Sequence, residues 1–349
     1  MVICQIPAIQ LQTSRFPTNS ALTRHRNQTP KRLDCTKVNN PEPACRNRKF
    51  IIGMGYVGQF FAQSLRKEED WSVFGTCTSL TKKKELEEKG YDVCLFDANE
   101  PKLSPLSLLK SYTHLLVSLP PVVGVGDPIL RHEELLRGVL MDASIRWIGY
   151  LSSTSVYGAW GGAWVDEDCE TRPTSDVAKS RLAAEEGWLS LGHGLGISTQ
   201  VLRLGGIYGP GRSAVDTIIK RKPWSKGQKL RTSRQYTSRI HVEDICQALR
   251  ASIQIPGSGR TYNIVDDDPA PREEVFAFAE ELIQKKWPGM GKHGTSCQVS
   301  EYSTEKFNSS GEKRVSNARM KRDLGVKLLY PSYRSGLQSI IDQMEKPFQ

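Results

Sequence analysis

The feature that most constrains the fold is a short apolar run that leads directly into a glycine-rich turn. Residues 49–52 read Lys-Phe-Ile-Ile, and residues 53–58 read Gly-Met-Gly-Tyr-Val-Gly. The segment after them has apolar residues at helical spacing, namely Val57, Phe60, Phe61 and Leu65. A strand, the spacing G-x-G-x-x-G and a helix, in this order, are typical of a site that binds a dinucleotide.

Each glycine of this motif has a separate expected role. We expect Gly53 to permit the tight turn, Gly55 to let a pyrophosphate approach the backbone, and Gly58 to let helix and strand pack closely. Tyr56 and Val57 lie in the same loop, so they are predicted to contact the cofactor as well. The helix that starts here would face the phosphates with its N–H groups and its partial positive charge.

Strands and helices alternate along the next 150 residues, which indicates an α/β protein with a doubly wound parallel sheet. The predicted strands after the first are 71–77, 91–96, 113–119, 147–152 and 198–204. The predicted helices between them are 82–89, 129–141 and about 174–191.

The end of the second predicted strand indicates which cofactor is preferred. NAD-binding proteins usually carry a carboxylate about 20 residues past the first glycine, but residues 76–79 read Thr-Cys-Thr-Ser and lysines follow at 82–84. Hydroxyl and ammonium groups suit the 2′-phosphate of NADP, which favours NADP over NAD. Thr78, Ser79 and Lys82 are therefore candidate cofactor residues, together with Asp97 after the third strand. The alternative is that these lysines are only the solvated face of a helix.

Several further motifs, in the same order, resemble the extended short-chain dehydrogenase/reductase family, the NAD-dependent epimerase/dehydratase group. The likeness covers roughly residues 49–345. It rests on residues 151–158 (LSSTSVYG), 166–167 (DE), 180–185 (SRLAAE), 203–211 (RLGGIYGPG), 239–245 (RIHVEDI) and 262–267 (YNIVDD).

This resemblance implies the domain organisation. A Rossmann domain would span 49–210, and residues 211–349 would complete its sheet at about 236–285 and form a smaller C-terminal substrate domain. The family's chemistry rests on a Ser or Thr and on Tyr-x-x-x-Lys, whose two side chains share one helix face. There the lysine charge lowers the pKa of the tyrosine, so that the phenol can transfer a proton.

The chain departs from the family at this pair. Aligned on the SRLAAE segment, Val177 occupies the tyrosine position and Arg181 the lysine position, while Ser153 keeps the serine. A register shifted by two would give Ser175 and Lys179, which also lacks a phenol. The resemblance therefore implies an atypical member with Ser153 and Arg181 as candidate catalytic residues.

Alternatives remain open for these side chains. An arginine keeps its charge at any relevant pH, so Arg181 would hold a ribose hydroxyl or an anionic group, unless it is a solvated helix residue. Ser153 is either catalytic or a cap of the local backbone. Tyr157 and Tyr208 are either substitutes for the missing phenol or packed loop tyrosines, and His241 at a helix start is read as structural.

The charge of the chain is concentrated at its front. The formal net charge is +10 over 349 residues, and residues 1–49 hold 9 Lys/Arg against 2 Asp/Glu, a net of 9 − 2 = +7. Residues 1–48 are rich in Ser, Thr, Asn and Pro without apolar periodicity, which is typical of an organelle transit peptide. We expect a chloroplast (stroma) location, with a mitochondrion or a disordered cytosolic tail as alternatives.

A second basic region lies at residues 217–240, with eight Lys/Arg and no acidic residue. Such a region attracts anions, and the corresponding part of the family lines the substrate side. A small anionic substrate, phosphorylated or nucleotide-linked, is therefore expected, with a solvated loop as the alternative. Nucleic acid is disfavoured, because Trp224 and Tyr236 alone make a thin stacking platform.

The remaining composition excludes other classes of site. Eight cysteines show no CxxC spacing, so neither a zinc site nor a disulfide framework is predicted, and no apolar run is long enough for a membrane span. Two functions stay open. The first is an NADP-dependent oxidoreductase or epimerase/dehydratase-like enzyme, with a homodimer as one assembly. The second is an NADP-binding regulatory or scaffold protein without turnover.

Overall fold

The computed structural model describes residues 47–68, 70–97, 104–220, 236–255, 257, 259–288 and 312–346, which belong to one unit spanning Ala44–Gln349. The strands are β1 Asn47–Ile52, β2 Trp71–Cys77, β3 Asp92–Leu95, β4 His114–Val117, β5 Trp147–Ser153, β6 Trp164–Val165, β7 Ser198–Leu204, β8 Gly206–Tyr208, β9 Arg239–His241, β10 Arg260–Ile264 and β11 Arg314–Val315. The helices are α1 Tyr56–Leu65, α2 Leu80–Glu88, α3 Glu133–Met141, α4 Asp176–Leu195, α5 Ala214–Ile219, α6 Val242–Gln254, α7 Arg272–Lys286, α8 Ala318–Leu324 and α9 Tyr333–Gln343. Short 3-10 turns occupy Ser104–Ser111, Leu130–His132 and Thr154–Tyr157.

Seven of the strands form one sheet in the order β10-β7-β5-β4-β1-β2-β3. Every neighbouring pair is parallel, from Arg260↔Gln200 at one edge to Cys77↔Leu95 at the other. Chain order runs outward in both directions from the β1–β4 junction, so this junction is where a crevice opens at the carboxyl ends of the strands. The predicted doubly wound α/β fold is confirmed.

The second half of β1 is apolar without alternation, because both faces of the sheet are covered there. Phe50 and Ile52 of β1 face a core with α3 and α4 that includes Trp188. Ile51 faces the opposite core, where Phe61 of α1 is fully buried. A run of apolar residues without alternation is therefore what this strand requires.

A separate apolar core lies among α5, α7 and α9. It includes Val215, Phe276, Ile283, Leu337 and Ile341, which are all buried. The pair β8–β9 leads into this region from the end of β7. These helices stand where the resemblance places a substrate domain, although the predicted boundary at residue 210 stays a prediction.

Most of the predicted strands and helices begin and end within two residues of those in the structure. The strands at 71–77 and 198–204 were predicted with the bounds that the structure has. The first strand begins at Asn47 rather than at residue 49, because Asn47 and Arg48 pair with Trp71 and Ser72. The leader prediction, apart from these two residues, falls outside the described residues.

Candidate functional site

A cavity of about 730 Å³ opens at the carboxyl ends of the central strands. Its wall begins at the glycine turn with Gly55 and passes the ends of β4 and β5 at Ser118 and Ser153. It then extends to α5, α7 and α9, where Phe276 and Leu337 line it. The volume falls within the ~300–1,000 Å³ of small-molecule sites.

The three glycines of the turn differ in how the surrounding structure constrains them. Gly53 has a φ of +96°, which side chains rarely adopt, and its N–H donates to the Thr76 hydroxyl at 2.9 Å. A Cβ on Gly58 would lie 2.7 Å from the Gly53 carbonyl oxygen. A Cβ on Gly55 would meet no protein atom within 4 Å.

Gly55 is therefore a glycine that the protein's own packing does not require. It lies at the N-terminus of α1, where N–H groups attract phosphate, and it lines the cavity. The space beside it is a cradle that a side chain would fill, so the turn fits the pyrophosphate of a dinucleotide.

Tyr56 connects the glycine turn to the segment after β8. Its phenol donates to the Pro210 carbonyl at 3.0 Å, and the Arg212 guanidinium lies 5.3 Å from the ring centre. Burial raises the pKa of this phenol, so it stays protonated. Tyr56 therefore joins two walls of the cavity and is unsuited to act as a base.

The predicted catalytic pair meets in this cavity, because Ser153 and Arg181 both line it. Ser153 ends β5 and caps the following 3-10 turn, where its oxygen accepts the Ser155 N–H at 3.2 Å. The hydroxyl hydrogen of Ser153 has no acceptor in the described part of the chain. Ser153 therefore caps the local backbone and also lines the cavity, while its catalytic role stays a prediction.

A buried ion pair supports the adjacent wall. The Ser152 hydroxyl donates to Glu185, and the Arg203 guanidinium donates to the same carboxylate with an Nη2–Oε2 distance of 2.7 Å. All three side chains are buried. This arrangement fixes the end of β5 against α4, which carries Arg181.

The other helix positions lie away from the cavity. Val177 is 45% exposed and does not line it. Ser175 is the N-cap of α4, and Lys179 is exposed, 3.9 Å from Asp176. The register that gives Arg181 is therefore the one that brings a charged side chain to the cavity.

The described cavity wall carries an excess of positive charge. Arg181, Arg212, Arg239 and Arg272 line it, together with Lys220, which lies 3.8 Å from Asp216. Burial lowers the pKa of Arg239, yet its Nη1 donates to the carbonyls of Thr237 and Ala270 at 2.7 and 2.9 Å. An electropositive cavity of this kind attracts an anion.

The residues predicted at the ends of β2 and β3 lie outside the cavity. Thr78, Ser79 and Asp97 are exposed. The Ser79 oxygen accepts the Lys82 N–H as the N-cap of α2, and Lys82 pairs with Glu85 at 2.8 Å. These contacts agree with a solvated helix face and leave the groups accessible beside the glycine turn.

Two tyrosines that were considered as substitutes for the missing phenol are packed. Tyr157 is fully buried and donates to Asn263 at 2.8 Å, and burial raises its pKa to about 12. Tyr208 donates to the Ser332 carbonyl at 3.3 Å, and burial raises its pKa. His241 accepts the Glu243 N–H as the N-cap of α6, as expected of a structural residue.

Other predicted features are partly outside the described residues. Most of the basic region, namely residues 221–235 with Trp224, lies outside the described residues.

In the part that is described, no helix has the length and apolarity to cross a membrane. The same residues show no group of metal-ligating side chains, and Cys77, Cys94, Cys169 and Cys246 are free thiols.

Sequence reasoning missed two of the cavity arginines. Arg212 follows the Gly-Pro-Gly segment that the family motif includes, which was an available signal. Arg272 begins α7 after a proline, and no local pattern distinguishes it from a solvated helix residue.

The fold and the cavity define a class: a Rossmann-type α/β protein with a dinucleotide cradle next to an electropositive cleft. Residues 136–265 match the model of the NAD dependent epimerase/dehydratase family. Protein YeeZ of Escherichia coli (strain K12) is 28% identical over 291 residues, which are 80% of this chain and 95% of YeeZ.

Solved structures share the fold. A functionally unknown conserved protein from Silicibacter pomeroyi DSS is 34% identical with a TM-score of 0.67, covering 86% of this chain and 100% of that one. A UDP-glucuronic acid 4-epimerase from Bacillus cereus, solved with NAD and a UDP-sugar analogue, shares the fold at 19% identity, with a TM-score of 0.64 over 85% and 99% of the chains. The chain thus resembles the NAD dependent epimerase/dehydratase family over residues 136–265, which supports a nicotinamide dinucleotide as its cofactor class.

Proposed function

We propose that this protein is an NADP-dependent oxidoreductase of the epimerase/dehydratase type that acts on a small anionic substrate without a Tyr-x-x-x-Lys pair. The observation that carries the proposal is the continuity of one cavity from the open cradle at Gly55 to Ser153, Arg181 and the further arginines.

The chain's own groups suggest how the site works. The N–H groups at the start of α1 bind the pyrophosphate. Ser153 donates its hydroxyl hydrogen to a substrate oxygen, and the Arg181 charge stabilises negative charge that develops there. A nicotinamide held there would supply or accept a hydride.

The missing phenol limits the chemistry. Because Val177 has no proton to transfer, a proton must come from solvent or from the substrate itself. We therefore expect slow turnover compared with members that keep the tyrosine, since a positioned acid or base contributes about 10²–10⁴-fold.

NADP is proposed over NAD because β2 ends in hydroxyls and lysines with no carboxylate before Glu85. The full-length protein is titrated with NADPH and with NADH by calorimetry, and tighter binding of NADPH is the expected result. Lys82→Gln should reduce the difference in affinity between NADPH and NADH, since the 2′-phosphate of NADPH loses a cationic partner. Lys84→Gln is the matched control on the same helix and should leave the difference unchanged. Tighter binding of NADH to the unmodified protein would overturn the assignment.

Turnover is tested with NADPH oxidation by the full-length protein on a panel of carbonyl compounds and anionic esters. Oxidation that depends on both substrate and protein supports the proposal. Binding of NADPH without turnover on any compound would favour a regulatory or scaffold protein instead.

Location and assembly are also proposals. The hydroxyl-rich, acid-poor composition of residues 1–48 supports a chloroplast stroma location, which import into isolated plastids and mitochondria would test. A homodimer is proposed as the assembly, and light scattering in solution measures it.

A further inference from the structure

We propose that the part of the cavity distant from the glycine turn selects an anionic group on an apolar body, such as an aromatic or alkyl phosphate, and disfavours a hydroxyl-rich sugar. This inference rests on the proposed function, because it names the substrate class of the same cavity. The distal wall, as we call it, consists of the apolar side chains Ile207, Ala214, Val275, Phe276 and Leu337, together with the polar residues between them.

The apolar members of the distal wall come from four elements. Ile207 lies in β8, Ala214 in α5, Val275 and Phe276 in α7, and Leu337 in α9. The last four are buried within the protein, with exposed fractions of 9% or less, and still border the cavity. An apolar ligand group placed among them would lose contact with water, which is favourable in proportion to its apolar area.

Four hydroxyl groups of this wall already donate within the chain. The hydrogen bonds run from Ser213 to Asp216, from Thr217 to the Ser213 carbonyl at 2.8 Å, from Tyr208 to the Ser332 carbonyl at 3.3 Å and from Tyr333 to Glu274 at 2.7 Å. The oxygens of a sugar would therefore compete for donors that have acceptors already. A buried sugar hydroxyl without partners is unfavourable.

Asp216 is the acidic side chain among the described residues that line the cavity. One of its oxygens accepts both the N–H and the O–H of Ser213, and Lys220 lies 3.8 Å from the other. This carboxylate is thus held by the capping box of α5 and is poorly placed to accept hydrogen bonds from sugar hydroxyls.

Thr237 and Arg239 differ from these groups. The Thr237 hydroxyl is buried with no hydrogen-bond partner in the described part of the chain, and the Thr237 carbonyl accepts from Arg239. Arg239 lines the cavity together with Arg272. A guanidinium fork matches the oxygens of a phosphate or carboxylate, so the anionic group belongs here and the apolar body belongs against α7 and α9.

The direct test compares three probes that share one anionic group. Inorganic phosphate, glucose 1-phosphate and phenyl phosphate are titrated by calorimetry into the full-length protein saturated with NADPH, so that the pyrophosphate cradle is occupied. Phenyl phosphate should bind at least about tenfold tighter than inorganic phosphate, because its ring removes apolar surface from water. Glucose 1-phosphate should bind no tighter than inorganic phosphate. Equal affinities for the three probes, or tighter binding of glucose 1-phosphate than of phenyl phosphate, would overturn the proposal.

Two variants locate the binding on the distal wall. Val275→Thr keeps the shape of the side chain and replaces a methyl group by a hydroxyl. It should weaken the binding of phenyl phosphate several-fold and leave the binding of inorganic phosphate unchanged. Arg272→Gln should weaken the binding of both probes. Lys285 is an exposed cation on the same helix, and Lys285→Gln should leave the binding of both probes unchanged. If Val275→Thr does not fold, as its melting curve would show, the comparison of probes on the unmodified protein still decides.

Failure of this inference and failure of the proposed function give different results. If NADPH does not bind, the proposed function fails, and the three probes can still be compared on the protein without cofactor. If NADPH binds and the probes do not differ in affinity, only the apolar preference fails.

Discussion

At the scale of single residues, the side chains at positions 177 and 181 decide which chemistry the cavity can perform. Val177 is half exposed and outside the cavity, whereas Arg181 lines it with Ser153. The sequence placed both residues on one helix face, whereas of the two side chains Arg181 alone lines the described cavity. It left the role of Ser153 open, because a residue that caps the local backbone and a residue that donates a hydrogen bond to a substrate both need a hydroxyl group.

Substitutions at these positions should differ in their effects on turnover. Val177→Ala should leave kcat/KM within a few-fold, because the side chain carries no proton and packs little. Ser153→Ala should lower kcat/KM by at least about tenfold, since a hydrogen bond to the substrate oxygen is lost. Steady-state kinetics on a substrate from the panel measures both. A collapse in Val177→Ala, with NADPH affinity and melting temperature intact, would show that the helix register is wrong.

At the scale of elements, the sequence predicted the strands better than the helix ends. The strands β2 and β7 have the bounds that the sequence predicted. Helix α4 begins at Asp176 rather than at residue 174, because Ser175 caps it by accepting the Ala178 N–H. Such a cap is a local feature, but several hydroxyl residues near 174 compete for the role.

The end of the chain is attached to α6 by a contact that the sequence did not reveal. The Asp244 carboxylate is fully buried and accepts the N–H groups of Leu329 and Tyr330 at 2.7 and 3.1 Å. These partners lie more than 80 residues away in sequence, so no local pattern predicts them. The contact positions the segment that leads into α9 and thereby part of the cavity wall.

Replacement of Asp244 by asparagine should make stability respond differently to pH. Burial raises the pKa of Asp244 to about 6, above its ordinary value of 3.8. A carboxyl whose pKa is raised on folding contributes stability that is fully present below pH 3.8 and is lost as the pH rises through about 6. Asp244→Asn should be less stable than the unmodified protein, since one N–H partner loses its acceptor, and the difference should narrow between pH 4 and pH 7.

Urea unfolding of both proteins across this pH range measures the difference in the free energy of unfolding. Asp342→Asn, at an exposed position, is the control for a change of one carboxylate. A difference that stays constant or widens with rising pH would contradict the assignment of the raised pKa to Asp244.

At the scale of the whole molecule, the cavity combines segments from Gly55 to Leu337. The sequence located the glycine turn and the ends of β5 and α4 because each has a local motif. It did not locate Arg272, Phe276 or Leu337, since they reach the cavity only through the packing of α7 and α9. The part of the cavity around the glycine turn, Ser153 and Arg181 was therefore predictable, and the distal wall was not.

The amino end of the sheet carries an unusual buried lysine that affects overall stability. Lys49 is fully buried, its Nζ has no hydrogen-bond partner among the described residues, and it lies 4.0 Å from the centre of the Trp147 ring. Burial lowers the pKa of this amine well below 10.5. The folded protein therefore holds this proton less tightly than the unfolded chain, and this residue makes stability increase as the pH rises toward 10.5.

Lys49→Met keeps a similar length without the amine, so it should raise the melting temperature at pH 7 and raise it less at pH 10. Scanning calorimetry at both values measures the change, and Lys84→Met on the exposed face of α2 is the control. An equal increase at both pH values, or a loss of stability at pH 7, would contradict this account of Lys49.

The central claim, that the glycine turn binds a nicotinamide dinucleotide, is tested most directly by calorimetric titration of Gly55→Val with NADPH. The new side chain meets no protein atom near its Cβ position, so the fold should persist while the pyrophosphate loses its space. Gly138→Val, whose Cβ position is equally open but lies in α3 outside the cavity, is the matched control. The account predicts a loss of NADPH affinity of more than about tenfold, or about 1.4 kcal/mol, in Gly55→Val alone. Equal NADPH affinity in Gly55→Val and the unmodified protein would contradict it.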